Sequence, residues 1–286
     1  MAFVKEVTKQ MSNKKIGVVM NIIFLLKQAV MPFKLLLKKM ELKHLKFWLK
    51  TLLYLYTPGG YGYYRYIRQF KEADYDLTLH TDIDWKGHSP ENVHYRNYEN
   101  YDEYVNHQKQ KFDKILKEGK SFRNCSLLGF RYLYYRRFKY LDAYLSKSAS
   151  ILCCGARQGT EVEVLRELGY KNAYGIDLNP GPNNKFVRIG DFMHLENADS
   201  SLDMIYCNAL DHAFNLKDFF VEHAMVIKLD GYVLYDISLM GESLYEAAGW
   251  SSPETVILQM LEIFKSVIKI ETELNYKWIL LQGKQI

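Results

Sequence analysis

The chain is 286 residues long, 25% charged and 48% hydrophobic, with a mean hydropathy of −0.25, a globular mixture and not that of a charge-rich disordered chain. No uncharged run reaches the roughly 18 apolar residues of a bilayer-crossing helix: the longest are residues 16–26 and 51–64, and Pro58-Gly59-Gly60 interrupts the second. The net charge of +5 conceals a split, since residues 1–150 hold 27 Lys and Arg against 14 Asp and Glu, and residues 151–286 hold 11 against 19.

The run 16–26 lacks a small-residue cleavage site, so no secretory signal is expected. The cysteines are Cys125, Cys153, Cys154 and Cys207, and none forms a CxxC pair. Neither a disulfide framework nor a zinc site follows from that spacing, and a reduced, cytoplasmic setting is the expectation.

Taken in chain order, residues 16–56 read as helix, broken or kinked at Pro32. Beyond it Lys39, Lys43, Lys46 and Lys50 make a basic stripe beside the apolar face of Leu36, Met40 and Phe47. Pro58-Gly59-Gly60 and Gly62 end the segment, and residues 61–110 read as loops with short helices. Helical pattern returns at Tyr101–Leu116 and Tyr132–Leu145. From Ser150 the pattern becomes strand–helix alternation. Strands are expected at Ile151–Cys154, Ala173–Ile176, Phe186–Ile189, Leu202–Cys207 and Gly231–Ile237, with helices at Thr160–Leu168, Leu216–Ile227 and residues 253–264. Val267–Leu274 and Lys277–Leu281 read as closing strands around Asn275. Repeated units of this kind predict an α/β fold, a doubly wound parallel sheet with helices on both faces.

The chemistry concentrates in the first unit, ILCCGARQGTEVEVLRELGYKNAYGIDLNP, residues 151–180. Gly155 and Gly159 bracket a tight turn from strand to helix, where a ligand can approach the backbone and the free N–H groups of the helix start. Asp177 stands 22 residues after Gly155, at the end of the next strand, where a carboxylate can accept from both hydroxyls of a ribose. Asp191 and Phe192 follow the third strand, 14 residues beyond Asp177. An acid followed by an aromatic ring suits an adenine amino group and its ring face. A dinucleotide-dependent dehydrogenase is the competing pattern, but it needs G-x-G-x-x-G, and Arg157 breaks the second glycine.

In these residues the sequence resembles the class I S-adenosylmethionine-dependent methyltransferases, over about residues 135–286. The matching pieces are CCGARQG, YGIDLNP, RIGDF, the stretch from Ser201 to Leu234, and the closing strands. The resemblance implies a Rossmann-like seven-stranded sheet whose last strand inserts antiparallel, with S-adenosylmethionine as cofactor. It places Gly155 and Gly159 along the methionine part, Asp177 at the ribose, Asp191 and Phe192 at the adenine and Asn208 near the donated methyl, with Ala156 and Leu178 among the other cofactor-binding residues. Two departures stand out: Cys153 replaces the acid usual two residues before the first glycine, and Arg157 replaces the middle glycine. Glu161 is the nearest substitute for that acid, and Arg157 can pair with the cofactor's carboxylate; both can equally cap or solvate the helix start.

The acceptor is expected next to Asn208-Ala209-Leu210-Asp211-His212, with His212, oriented by Asp211, as a general base or else as a scaffold for the pocket. Cys207 and His223 read as packing residues. The Tyr- and Arg-rich stretch Arg131–Tyr140 reads as a packed helix rather than a nucleic-acid surface. The expected organisation is a basic, Tyr-rich, mainly helical extension over residues 1–120 and a methyltransferase domain over 121–286. Three readings of the extension stay open: a cap over the site, a helix on an anionic membrane surface through residues 16–56, or a partner-binding helix. The expected function is methyl transfer to an O or N acceptor, a small molecule or a glycan- or lipid-linked intermediate. RNA methylation and a non-catalytic cofactor-binding scaffold are the alternatives. No strong nucleic-acid signature and no metal requirement are read from the chain, and the oligomeric state is undetermined.

Overall fold

The parallel strands of this protein are buried on both faces, and their sequences show it: every residue of Ile151–Cys154 is buried. The computed structural model describes residues 85–86, 93–117, 127–181, 184–238, 245–273 and 276–285. The basic stripe of residues 16–56, Cys125 and the turn at Asn275 lie outside the described residues.

In chain order the elements are β1 (Trp85–Lys86), β2 (His94–Arg96), α1 (Tyr101–Lys117), α2 (Leu127–Phe138), β3 (Ile151–Cys154), α3 (Thr160–Glu167), β4 (Ala173–Asp177), β5 (Val187–Ile189), β6 (Leu202–Cys207), α4 (Leu216–Val226), β7 (Ile227–Ser238), β8 (Ala248–Gly249), α5 (Pro253–Leu261), β9 (Phe264–Glu273) and β10 (Tyr276–Lys284). Short 3-10 turns follow α2 at Lys139–Ala143 and β6 at Leu210–His212. The main sheet has seven strands in the order β5-β4-β3-β6-β7-β10-β9. The first five are parallel, while β10 runs antiparallel between β7 and β9. This is the Rossmann-like arrangement expected from the sequence.

Side-chain alternation divides the core into two layers. Ile151, Cys153, Met204, Tyr206, Leu234 and Trp278 point to the layer that holds Phe138 of α2 and Val162 and Leu165 of α3. Leu152, Cys154, Ile205, Cys207, Tyr235 and Ile279 point to the other, with Phe219 and Phe220 of α4, Val256 and Met260 of α5, and Tyr104 of α1. Helix α2 starts five residues earlier than its sequence pattern suggested and carries Arg131 against α3. There the buried guanidinium meets Glu163 and Glu167, and the Tyr135 hydroxyl also donates to Glu167.

Strand β7 begins at Ile227, directly at the end of α4, rather than at Gly231, and a register irregularity between Leu202 and Met204 of β6 absorbs the early start. Helix α5 opens at Pro253 as expected, but it closes at Leu261 because Phe264 already belongs to the sheet. The Gln285 side chain donates to the carbonyls of Leu261 and Phe264 and seals that junction. A second, three-stranded sheet, β1-β2-β8, occupies ground that the sequence pattern had given to loops. Tyr95 of β2 accepts from the amide of Leu216, tying this sheet to the first turn of α4.

Candidate cofactor and acceptor site

In an open parallel sheet a ligand sits outside the carboxyl ends of the strands, where the strand order reverses. Here the chain steps outward from β3 to β4 and β5, then returns to β6 on the other side of β3. The turns after β3 and β6 therefore lie side by side where the ligand crevice of such a sheet opens. Gly155 has φ +66, and a Cβ built on it would stand 2.9 Å from the Cβ of Ala209 in the turn after β6. Gly159 has φ +76, and a Cβ there would meet Val187 of β5 at 2.7 Å. Both positions require glycine for closeness as well as conformation.

Between them Arg157 holds a left-handed backbone (φ 44) without being glycine, a conformation disfavoured for L-residues. Two hydrogen bonds secure it. Its amide donates to Asp177 Oδ2 (2.9 Å), and its carbonyl accepts from Asn184 Nδ2 (2.9 Å). The other Asp177 oxygen accepts from the amide of Asn179 at 2.8 Å. Asp177 is thus fixed at the tip of β4 by two amides, and each oxygen retains acceptor capacity toward the crevice. Leu178 beside it is half-buried.

Asp191 follows β5. Its Oδ1 accepts from the Met193 amide (2.9 Å), and its Oδ2 accepts from the hydroxyl of Tyr101 on α1 (2.6 Å). Burial, and then the Asp191 carboxylate, push the Tyr101 phenol far above its ordinary value, so it stays a donor. Phe192 turns inward: it is buried, packs edge-on against Phe219 (5.4 Å) and lies beside the Gly155 turn.

Glu161 occupies the first turn of α3 and is almost fully buried with Ala156 and Val162. Burial pushes its carboxyl up to about 8, against the pull of its own helix amide and of Arg157. Asp236 of β7 is buried nearby, held by Arg137 of α2 and by the Tyr206 hydroxyl (2.9 Å). Cys153 is buried and its thiol is pushed well up by burial and by Glu161.

The turn after β6 presents Asn208, Asp211 and His212. Asn208 Nδ2 donates to the hydroxyl of Tyr134 on α2 (2.9 Å). His212 Nδ1 lies 3.0 Å from the carbonyl of Tyr245. A carbonyl only accepts, so Nδ1 carries the hydrogen and Nε2 is the basic nitrogen. Asp211 Oδ1 stands 4.0 Å from that Nε2. The imidazole is therefore oriented by Tyr245, where the sequence had suggested Asp211, and the carboxylate lies on the basic side. An aromatic layer covers this turn. Tyr98 packs on Tyr104 (5.5 Å), Tyr101 and Tyr104 pack on Phe214 (5.2 Å each), and the Tyr104 hydroxyl donates to the His212 carbonyl (3.0 Å).

Tyr101, Tyr134 and Tyr245 were not legible as site residues. They reach Asp191, Asn208 and His212 from 90, 74 and 33 residues away along the chain, and no local spacing signals such contacts. Cys207 is buried, and burial pushes its thiol far up, which rules it out as a nucleophile. His223 is also buried, bonded to the Tyr235 hydroxyl (2.9 Å) and pushed down to about 3 by burial, a packing residue. Among the described residues no cluster of His, Cys, Asp and Glu could hold a metal, and no helix is long and apolar enough to cross a membrane.

Residues 152–235, from β3 into β7, match the family model described as a methyltransferase domain. Among solved structures, the fold is similar to the 1,6-didemethyltoxoflavin-N1-methyltransferase of Burkholderia thailandensis, solved with 1,6-didemethyltoxoflavin and S-adenosylhomocysteine. The identity is 14%, over 67% of this chain and 95% of that one, with a TM-score of 0.52. A S-adenosylmethionine-dependent methyltransferase of Aquifex aeolicus matches at 17% identity over 60% of this chain and 97% of that one, with a TM-score of 0.43. No curated protein matches the chain. Sheet order and family model together define a methyltransferase domain of the class I, Rossmann-like fold, with the family match over residues 152–235.

S-adenosylmethionine is the cofactor that a methyltransferase domain of this fold implies, and the residues at the strand ends fit it. The Gly155 and Gly159 turn leaves no room for side chains, Asp177 offers acceptors at the strand tip, and a buried carboxyl stands at the helix head. Asp177→Ala is expected to weaken S-adenosylhomocysteine binding by at least roughly tenfold, as hydrogen bonds to a charged acceptor contribute about 1.5–3 kcal/mol each. Isothermal calorimetry reads this, and tight binding untouched by the change would place the cofactor elsewhere.

Proposed function

We propose that the protein transfers the methyl group of S-adenosylmethionine to an oxygen or nitrogen of a small molecule or of a glycan- or lipid-linked intermediate. The observation that carries this reading is His212, held by the Tyr245 carbonyl so that its basic nitrogen is defined. When bound, the cofactor supplies a methyl carbon activated by a positive sulfur and open to in-line displacement. His212 Nε2 takes the proton that a hydroxyl or amine must lose as it is methylated. Asp211, 4.0 Å away, stabilises the resulting imidazolium through space. Tyr98, Tyr101, Tyr104 and Phe214 exclude water from this end of the crevice, which supports the cap reading for residues 93–117. The Burkholderia protein of similar fold is named for methylation at a nitrogen of a small molecule, which favours that acceptor class.

The test is incubation of the full chain with methyl-labelled S-adenosylmethionine and three pools: metabolites, lipid extract and total RNA. Label is expected in the metabolite or lipid pool. Label confined to RNA would overturn the acceptor class, and cofactor binding without transfer to any pool would favour a cofactor-binding scaffold.

A further inference from the structure

The cap over the acceptor end grips three successive carbonyls of the segment before β8. Arg96 of β2 takes two of them: its amide donates to Ala247 (2.8 Å) and its Nε to Glu246 (2.9 Å). Gln108 of α1 takes the third, with Nε2 donating to the Tyr245 carbonyl at 2.9 Å. A carbonyl only accepts, so that end of the Gln108 amide is its NH2 group. The same Tyr245 oxygen lies 3.0 Å from His212 Nδ1. One oxygen thus joins α1 to the imidazole, with a lone pair for each donor.

Tyr104, His107 and Gln108 stand at i, i+3 and i+4 and share one face of α1. All of them serve this junction. The Tyr104 hydroxyl donates to the His212 carbonyl (3.0 Å), and the His107 ring stacks on that of Tyr245 (5.7 Å). Tyr245 lies outside any helix or strand, so no ladder or helical bond sets the direction of its carbonyl. The side chains that donate to it do.

We propose that Gln108 is a positioning residue for His212. By holding the Tyr245 carbonyl from the face of α1, it keeps the imidazole hydrogen on Nδ1 and leaves Nε2 as the nitrogen that accepts a proton. This rests on the reading of His212 as the base. A histidine side chain in water carries its hydrogen mostly on Nε2, so the opposite tautomer has to be imposed. The hydrogen bond made by one ring nitrogen decides the state of the other. An acceptor that can turn with its peptide imposes little, whereas one pinned by a second donor fixes both the tautomer and the ring.

Nitrogen–proton correlation NMR of the full chain, with isotope-labelled histidine, reads the tautomer of His212 with no acceptor present. The signal is assigned by its loss in His212→Ala. At about pH 8.5, where an ordinary imidazole is neutral, the wild type is expected to carry the hydrogen on Nδ1. Gln108→Met keeps the size and helix propensity of the side chain but loses the donor, and it should move the hydrogen to Nε2 in most molecules. Arg96→Met, which gives up the bond to Glu246 and keeps Gln108 in place, should match the wild type. With an acceptor in hand, Gln108→Met should lower kcat by roughly tenfold to a hundredfold, the usual weight of a partner on the other ring nitrogen, with KM and S-adenosylhomocysteine affinity within about threefold. An Nδ1 hydrogen in both the wild type and Gln108→Met would overturn the role of Gln108 while leaving the base in place. So would an equal shift in Arg96→Met, which would make the junction a general pin for the cap. A wild type with its hydrogen on Nε2 would remove the defined base, and this proposal would fall with that reading.

Discussion

Exchanging Arg137 for methionine is expected to lower the unfolding free energy by about 3–5 kcal/mol. Arg137 is 2% exposed and Asp236 5%, so the ion pair between them lies in the interior with Tyr206 as its third member. Burial already pushes the Asp236 carboxyl up, and the Arg137 guanidinium is the largest opposing influence. Without it, the carboxylate either stays charged in a low dielectric or takes up a proton, and both alternatives destabilise the folded state. The melting temperature should fall by roughly 6–20 °C for a domain of this size. Adding Asp236→Leu to the variant should recover most of the loss, because an apolar pair of similar volume replaces a buried ion pair at little cost. Chemical denaturation of the single and double variants checks this. A single variant within about 1 kcal/mol of wild type would mean that water reaches the pair.

His212→Ala should lower kcat by roughly 10²–10⁴, the usual contribution of a positioned proton acceptor, once an acceptor is in hand. Its affinity for S-adenosylhomocysteine should stay within about threefold, since the imidazole is held by Tyr245 on the side of the cap and not by the Asp177 turn. The two measurements separate base from scaffold. Turnover near the wild-type rate would remove the base role, and a matching loss of cofactor affinity would make His212 a wall of the cofactor pocket.

Much of the sheet was legible because its signals are local. Ile151–Cys154 is bounded by Ser150 and Gly155 and buried on both faces, and the strand has those limits in the structure. The start of α5 was equally plain from Ser252-Pro253-Glu254. The small sheet was not legible. Its strands are two and three residues long, and His94 pairs with Gly249, 155 positions away. Glu161 was ambiguous for a different reason. An acid in the first turn of a helix ordinarily faces water and the helix dipole, and only the packing of α3 on β3 turns it inward.

The charge split has a similar history. It located an acidic C-terminal half, but it did not distinguish acids in solvent from the buried Glu161 and Asp236. Taken alone, the sequence determined the strand–helix alternation, the glycine turn and the carboxylate at the tip of β4, because each depends on neighbours along the chain. Which polar side chains meet at the crevice was decided by tertiary structure. The packing of α1, α2 and the segment before β8 against the strand ends brings Tyr101 to Asp191, Tyr134 to Asn208 and Tyr245 to His212, and chain distance carries no information about that packing.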